Sequence, residues 1–177
     1  LAVSMQLGAM ALLLALLIGI PMGTLAALYR GKWQDRIAML VAIAGVSVPA
    51  IVLGPVLYWF FGLYLGWLPV AKWADLDEGV GEYVRHAILP ATTLGVGLSA
   101  IVARLTRASL LQVLQEDYIR TAHAKGLLLR VVTVRHALRN SLIPVVTYLG
   151  PLAASVLTGS LIVEQIFAGP GVRRHFV

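Results

Sequence analysis

Glu82 and His86 stand four residues apart. On a helix that spacing puts a carboxylate and an imidazole on one face, where they could reach a common metal ion. Two ligands beside an apolar run make a weak metal site, so the pair reads as the edge of a membrane segment. His123 and His136 lie among basic residues and read as surface or docking residues rather than proton shuttles. Glu164 follows the last long uncharged stretch and reads as an outer-interface group, with a buried functional acid as the alternative. No Gly-x-x-x-x-Gly-Lys-Ser/Thr run occurs in the sequence, so this chain is not expected to bind ATP. His-Glu-x-x-His is missing too, and there are no cysteines, which excludes disulfides and thiolate metal sites. Catalysis is not expected, and no metal or other cofactor is assigned to the chain.

The most informative polar residues cluster between Arg104 and Asn140. Arg104, Arg107, Arg120, Lys125, Arg130, Arg135 and Arg139 face only Glu116 and Asp117. Leu110, Leu114, Tyr118 and Ala122 recur at steps of four and predict one apolar helical ridge, with Glu116, Asp117 and Arg120 off it. Gly126 after Lys125 predicts a helix stop. A second, basic helical stretch is expected over Leu127 to Leu138. Asn140 and Ser141 are candidate caps for the next helix, and Pro144 suits its first turn. The result is a helix–Gly–helix arm, either a docking knob for a partner or an amphipathic arm lying on lipid headgroups.

The elements holding this arm are apolar. The 177 residues are 59% hydrophobic and 12% charged, with mean hydropathy +0.87, about half the charge of a soluble domain. Four windows carry no Asp, Glu, Lys or Arg: Leu1 to Tyr29, Ile37 to Ala71, His86 to Ala103 and Asn140 to Val163. A bilayer core needs roughly 20 helical residues, which predicts spans at about 3–28, 38–62, 87–108 and 142–163. Gly19, Pro21 and Gly23, then Gly45, Pro49, Gly54 and Pro55, then Gly95 and Gly97 punctuate them, as helices in a membrane bundle tolerate.

The net charge is +6. In a soluble protein that would suggest nucleic acid, but here the cations sit in short loops and set orientation. The loop with Arg30, Lys32 and Arg36 and the arm at about 109–140 are expected in the cytoplasm. The loop at about 64–86, with Asp75, Asp77, Glu78 and Glu82, is expected outside, and Trp67 reads as an interface residue.

The run Glu116-Asp117-Tyr118-Ile119-Arg120-Thr121-Ala122-His123-Ala124-Lys125-Gly126, followed by Val134-Arg135-His136-Ala137-Leu138-Arg139-Asn140-Ser141-Leu142-Ile143-Pro144, resembles the cytoplasmic loop of binding-protein-dependent ABC importer permeases. Gly19-Ile20-Pro21-Met22-Gly23, Gly45-Val46-Ser47-Val48-Pro49, Gly66-Trp67-Leu68-Pro69 and Tyr148-Leu149-Gly150-Pro151 carry the likeness along the chain. It is most similar to the first permease subunit of the dipeptide/oligopeptide/nickel group, with the oligopeptide branch favoured. Against the broader loop motif it keeps Ala122, Gly126 and Leu138, and has Arg120, Thr121, His136 and Arg139 at other motif positions.

The resemblance implies an all-α, polytopic membrane bundle with the type I importer transmembrane fold, 1–177 forming part of a single permease domain of about six spans. It implies a bacterial inner-membrane subunit of an ATP-driven peptide importer. The alternatives are a permease for nickel, glutathione or another solute, and less readily a secondary transporter or channel. Implied partners are a second homologous permease subunit, cytosolic ATP-binding subunits that hold ATP and Mg, and an extracytoplasmic solute-binding protein, with lipid around the helices and no nucleic acid. Tyr118, Arg120, Thr121, Ala122, His123 and Gly126 are the implied contacts to the ATPase; the substrate path is not assigned.

Overall fold

A computed structural model describes residues 2–69, 79–128 and 131–167. Among these residues every regular element is helical, in agreement with the all-α expectation. Helix α1 spans Ala2–Leu28, α2 Trp33–Ser47 and α3 Ala50–Leu57, which continues as a π-helical turn Tyr58–Tyr64. Helix α4 spans Val80–Val113 and α5 Asp117–Ala124. A π-helical run Val132–Leu138 and one turn Arg139–Ser141 lead into α6, Ile143–Ile166.

Helix α1 has 27 residues, about 40 Å at the helical rise, and exceeds a hydrocarbon core of about 30 Å. The 34 residues of α4 reach about 50 Å, well beyond the span expected at 87–108. Two described helices, Ser4–Leu28 and Val80–Val113, are long and apolar enough to cross a membrane, three if α2 and α3 form one broken span.

The stretch expected as one span at 38–62 is divided by a 99° bend between Ser47 and Ala50. Pro49 causes it. Its ring forces the preceding Val48 out of the helical region, to φ −91° and ψ 111°. Pro49 itself lacks an N–H, and its carbonyl accepts the first bonds of α3, from Val52 and Leu53.

Contacts between the helices give their directions. Leu7 packs with Tyr83 and Ala87, Gly95 lies against Ala11, Gly19 against Ser99 and Val102, and Gly23 against Ala103 and Thr106. Partner numbers rise together, so α1 and α4 run parallel. Along α2 they run oppositely: Asp35 meets Arg107, and Gly45 lies against Val96 and Ala100. The α1–α4 seam admits no side chain at Gly19, where a Cβ would fall 2.7 Å from the Ser99 carbonyl and from Val102 Cβ. Small residues thus let the two backbones meet, the usual basis of close helix packing in lipid. At the other end of the seam the Tyr83 hydroxyl donates to Gln6 Oε1 at 2.8 Å.

The main core joins α1, α4 and α6 through Ala11, Ala15, Leu98, Val102, Leu152 and Val156. A separate cluster sits beneath the arm: Ala27, Leu110, Ile119, Ala122, Val132 and Ala137.

Candidate functional site

The arm hangs from the end of α4. Leu114, Gln115 and Glu116 close that helix with turn bonds to Leu110, Gln112 and Val113, and α5 restarts at Asp117. The restart shifts the helical phase and corrects the expected ridge of Leu110, Leu114, Tyr118 and Ala122. Leu110 and Ala122 are buried and Leu114 partly so, but Tyr118 is exposed and Ile119, 1% exposed, fills the inner position. Steps of four hold only along one unbroken helix.

Helix α5 ends as Gly126 predicts. Gly126 takes φ +74°, a conformation that Gly adopts without steric cost. The Leu127 N–H then donates to the Ala122 carbonyl at 3.3 Å, the longer bond of a Schellman motif. A Cβ at Gly126 would meet nothing within 4 Å, so backbone conformation and not space demands glycine there. Leu127 and Leu128 lie outside any helix, and among the described residues the chain is helical again at Val131, whose N–H and that of Val132 donate to the Leu128 carbonyl. The helical stretch expected from Leu127 to Leu138 therefore does not include Leu127 and Leu128.

Asn140 and Ser141 do not cap α6. The chain stays helical through Arg139–Ser141, so their side chains turn to other partners. Ser141 Oγ donates to the Leu138 carbonyl at 2.9 Å. Asn140 Nδ2 donates to the Tyr118 hydroxyl at 2.9 Å, which ties α5 to the base of α6. Pro144 lies in the first turn of α6, as its type suggests.

Among the residues singled out for partner contact, Tyr118, Arg120, Thr121 and Gly126 share the exposed side of the arm. Ala122 is buried against this chain's own cluster. The His123 side chain lies outside the described residues. Arg120 is 3.5 Å from Asp117, both widely exposed, a pairing worth little in water. The Thr121 hydroxyl donates back to the Asp117 carbonyl at 2.9 Å. The outward face thus offers an aromatic ring, a guanidinium and a hydroxyl, on a base fixed by Ile119 and Ala122.

Sequence reasoning missed one tie beside the arm. Arg107, one turn before Leu110, grips Asp35 in the first turn of α2. Its Nε donates to Oδ1 at 2.7 Å and a terminal nitrogen donates to Oδ2 at 2.8 Å. The Gly31 N–H adds a third bond to Oδ2 at 2.9 Å. Such a planar, two-point contact is the geometry in which Arg binds carboxylates best. The signal in the sequence was slight: Asp35 is the one acid in an otherwise basic loop.

At the far end of α4, His86 Nδ1 lies 2.9 Å from the Glu82 carbonyl and 4.0 Å from its carboxylate. The two do share a helix face. No three metal-binding side chains come together among the described residues. Asp75, Asp77 and Glu78, expected in the outer loop, and Arg130 lie outside the described residues, as does the Glu164 side chain.

Long apolar helices, a small-residue seam and a basic arm at one end define an integral membrane subunit of helical type. Residues 19–177 match the family described as binding-protein-dependent transport system inner membrane component. The chain belongs to that family and has its ABC importer transmembrane fold. It is 45% identical over 175 residues to the dipeptide transport system permease protein DppB of Bacillus subtilis, covering 99% of this chain and 54% of that protein. It is 45% identical over 163 residues to the glutathione transport system permease protein GsiC of Pectobacterium atrosepticum, covering 92% and 51%. The chain spans about half the length of these curated relatives.

Proposed function

We propose that this chain forms part of the translocation path of an ATP-driven importer for short peptides, in the bacterial inner membrane. The observation that carries the reading is α5: a short helix, anchored by Ile119 and Ala122, that turns Tyr118, Arg120 and Thr121 outward. A helix held in that way suits insertion into a groove on a partner with fixed register. The partners are a pair of cytosolic ATP-binding subunits, which hold ATP and Mg and hydrolyse it. The peptide passes between this subunit and a homologous one, and a solute-binding protein delivers it from outside. Ala122 serves as anchor, while Tyr118, Arg120, Thr121, His123 and Gly126 serve the contact.

The orientation follows from charge. The turn at Arg30, Lys32 and Arg36 and the arm face the cytoplasm, and the start of α4 faces outward. The parallel course of α1 and α4 suits this arrangement. Peptide is favoured as substrate because the dipeptide and glutathione permeases are similar to this chain along most of its length.

The test is Gly126→Asp in the full permease assembled with its ATPase. Asp must take a left-handed backbone and adds negative charge at the C-terminal end of α5, where the helix dipole opposes it. Insertion and ATPase co-purification are expected to persist while peptide-stimulated ATP hydrolysis and uptake fall about tenfold, the effect of roughly 1.4 kcal/mol. Wild-type uptake and stimulation in this variant would refute the role of α5. Failure of the unsubstituted permease to retain any ATPase would refute the wider reading.

A further inference from the structure

We propose that the outer groove between α1 and α2 is a binding site for one anionic phospholipid of the cytoplasmic leaflet. The groove holds about 270 Å³ and is walled by Met22 and Leu25 of α1 and Trp33, Ile37, Ala38 and Val41 of α2. These walls are apolar, and Leu25, Trp33, Ile37 and Val41 are each about half exposed or more, so an acyl chain laid there covers surface that the described residues leave open. Trp33 stands at the end of the groove nearest the 29–32 turn, where an amphipathic ring suits the headgroup level.

Charge chooses the headgroup. Arg30 and Lys32 lie in the turn just before Trp33, with Arg36 three residues after it, and none of the three forms an ion pair with a described residue. Lys32 rests over the Tyr29 ring, 5.7 Å from its centre, leaving its donors free. The nearby carboxylate, Asp35, accepts its hydrogen bonds from Arg107 and the Gly31 N–H and acts on Arg30 only through its charge, so it offsets the cluster only in part. Cations with no ion-pair partner beside an apolar slot fit a phosphate ester that carries acyl chains, and basic pockets between membrane helices are a known form of lipid site. Gln34 also lines the groove, and its Oε1 is buried without a hydrogen-bond partner. A small rotation of that amide would offer the oxygen to a headgroup hydroxyl.

The proposal uses the orientation given above and nothing about the transported solute. It is tested in the full permease with Trp59, Trp67, Trp73 and any tryptophan outside these 177 residues changed to Phe, reconstituted in vesicles containing brominated phosphatidylglycerol or brominated phosphatidylcholine. Half-quenching of Trp33 is expected at about a fivefold lower mole fraction of the anionic lipid, the scale of one cation at a membrane surface. The triple substitution Arg30→Gln, Lys32→Gln and Arg36→Gln is expected to remove the difference. If that variant does not assemble, high salt on the unsubstituted loop is expected to remove it instead. Equal quenching by both lipids, or a preference that survives both treatments, overturns the site. So does no quenching by either, which would mean that protein covers the groove. Quenching of Trp33 by iodide added outside would overturn the orientation and leave the lipid comparison readable.

Discussion

Asp35 and Arg107 are unequal partners. The Asp35 side chain is 7% exposed and the Arg107 side chain 28%. Removing the carboxylate leaves a guanidinium that can turn to water. Removing the guanidinium leaves a buried carboxylate with the Gly31 N–H as its remaining hydrogen bond from this set. Breaking a buried pair costs about 3–5 kcal/mol, chiefly through the charge left behind. Arg107→Ala is therefore expected to lower the thermal midpoint in detergent more than Asp35→Ala. Equal midpoints would show that the pair is solvated and structurally idle. This tie was hidden in the sequence because its partners are 72 residues apart and no local pattern joins them. Gly126 was legible for the opposite reason, since a helix stop is written within a few residues of itself. Tyr118 was aligned with Leu110 and Leu114 on one ridge because the turn at Leu114 to Glu116 leaves no apolar signature, yet resets every residue after it.

Among the helices, the α1–α4 seam depends on what is absent from Gly19 and Gly23. A Cβ at Gly23 would strike the Ala103 carbonyl, which cannot move aside as a flexible side chain can. Gly150 in α6 has nothing within 4 Å of that position. Gly23→Val is expected to reduce the yield of monodisperse permease severalfold, and Gly150→Ala to leave it unchanged or slightly raised, as helix propensity favours Ala by about 1 kcal/mol. Similar losses for both would mean that the seam is not where the helices meet. Helix α5 has only eight residues, too few to persist alone, so its order comes from Ile119 and Ala122. Ile119→Ala removes a fully packed side chain, at a typical cost of 2–5 kcal/mol. Amide exchange over 117–127 is expected to speed up at least tenfold, with α1 and α4 unchanged. Unaltered exchange would place the anchor elsewhere. The existence of the apolar elements was plain in the uncharged windows, and Pro49 marked a point of weakness. The size of the turn there was not readable, because packing of α3 on α4 and α6, not the proline, decides how far a broken helix swings.

Across the whole molecule, the sequence of helix contacts gives the course of the chain, and the proposed orientation rests on charge. These 177 residues contain no cysteine, so single thiols can be placed in a silent background once any cysteine elsewhere in the permease is replaced. Lys32→Cys and Lys125→Cys are expected to resist an impermeant maleimide until the membrane is opened, whereas Tyr64→Cys, 69% exposed in the parent residue, is expected to react in intact cells. Reaction of Lys125→Cys from outside would invert the arrangement and detach the arm from any cytosolic motor.

Helix α4 runs without interruption from Val80 to Val113, while α2 and α3 meet at an elbow. The small-residue seam holds α4 against α1 from Tyr83 to Thr106, so the two helices are expected to tilt as one body, while the elbow lets α3 pivot against them.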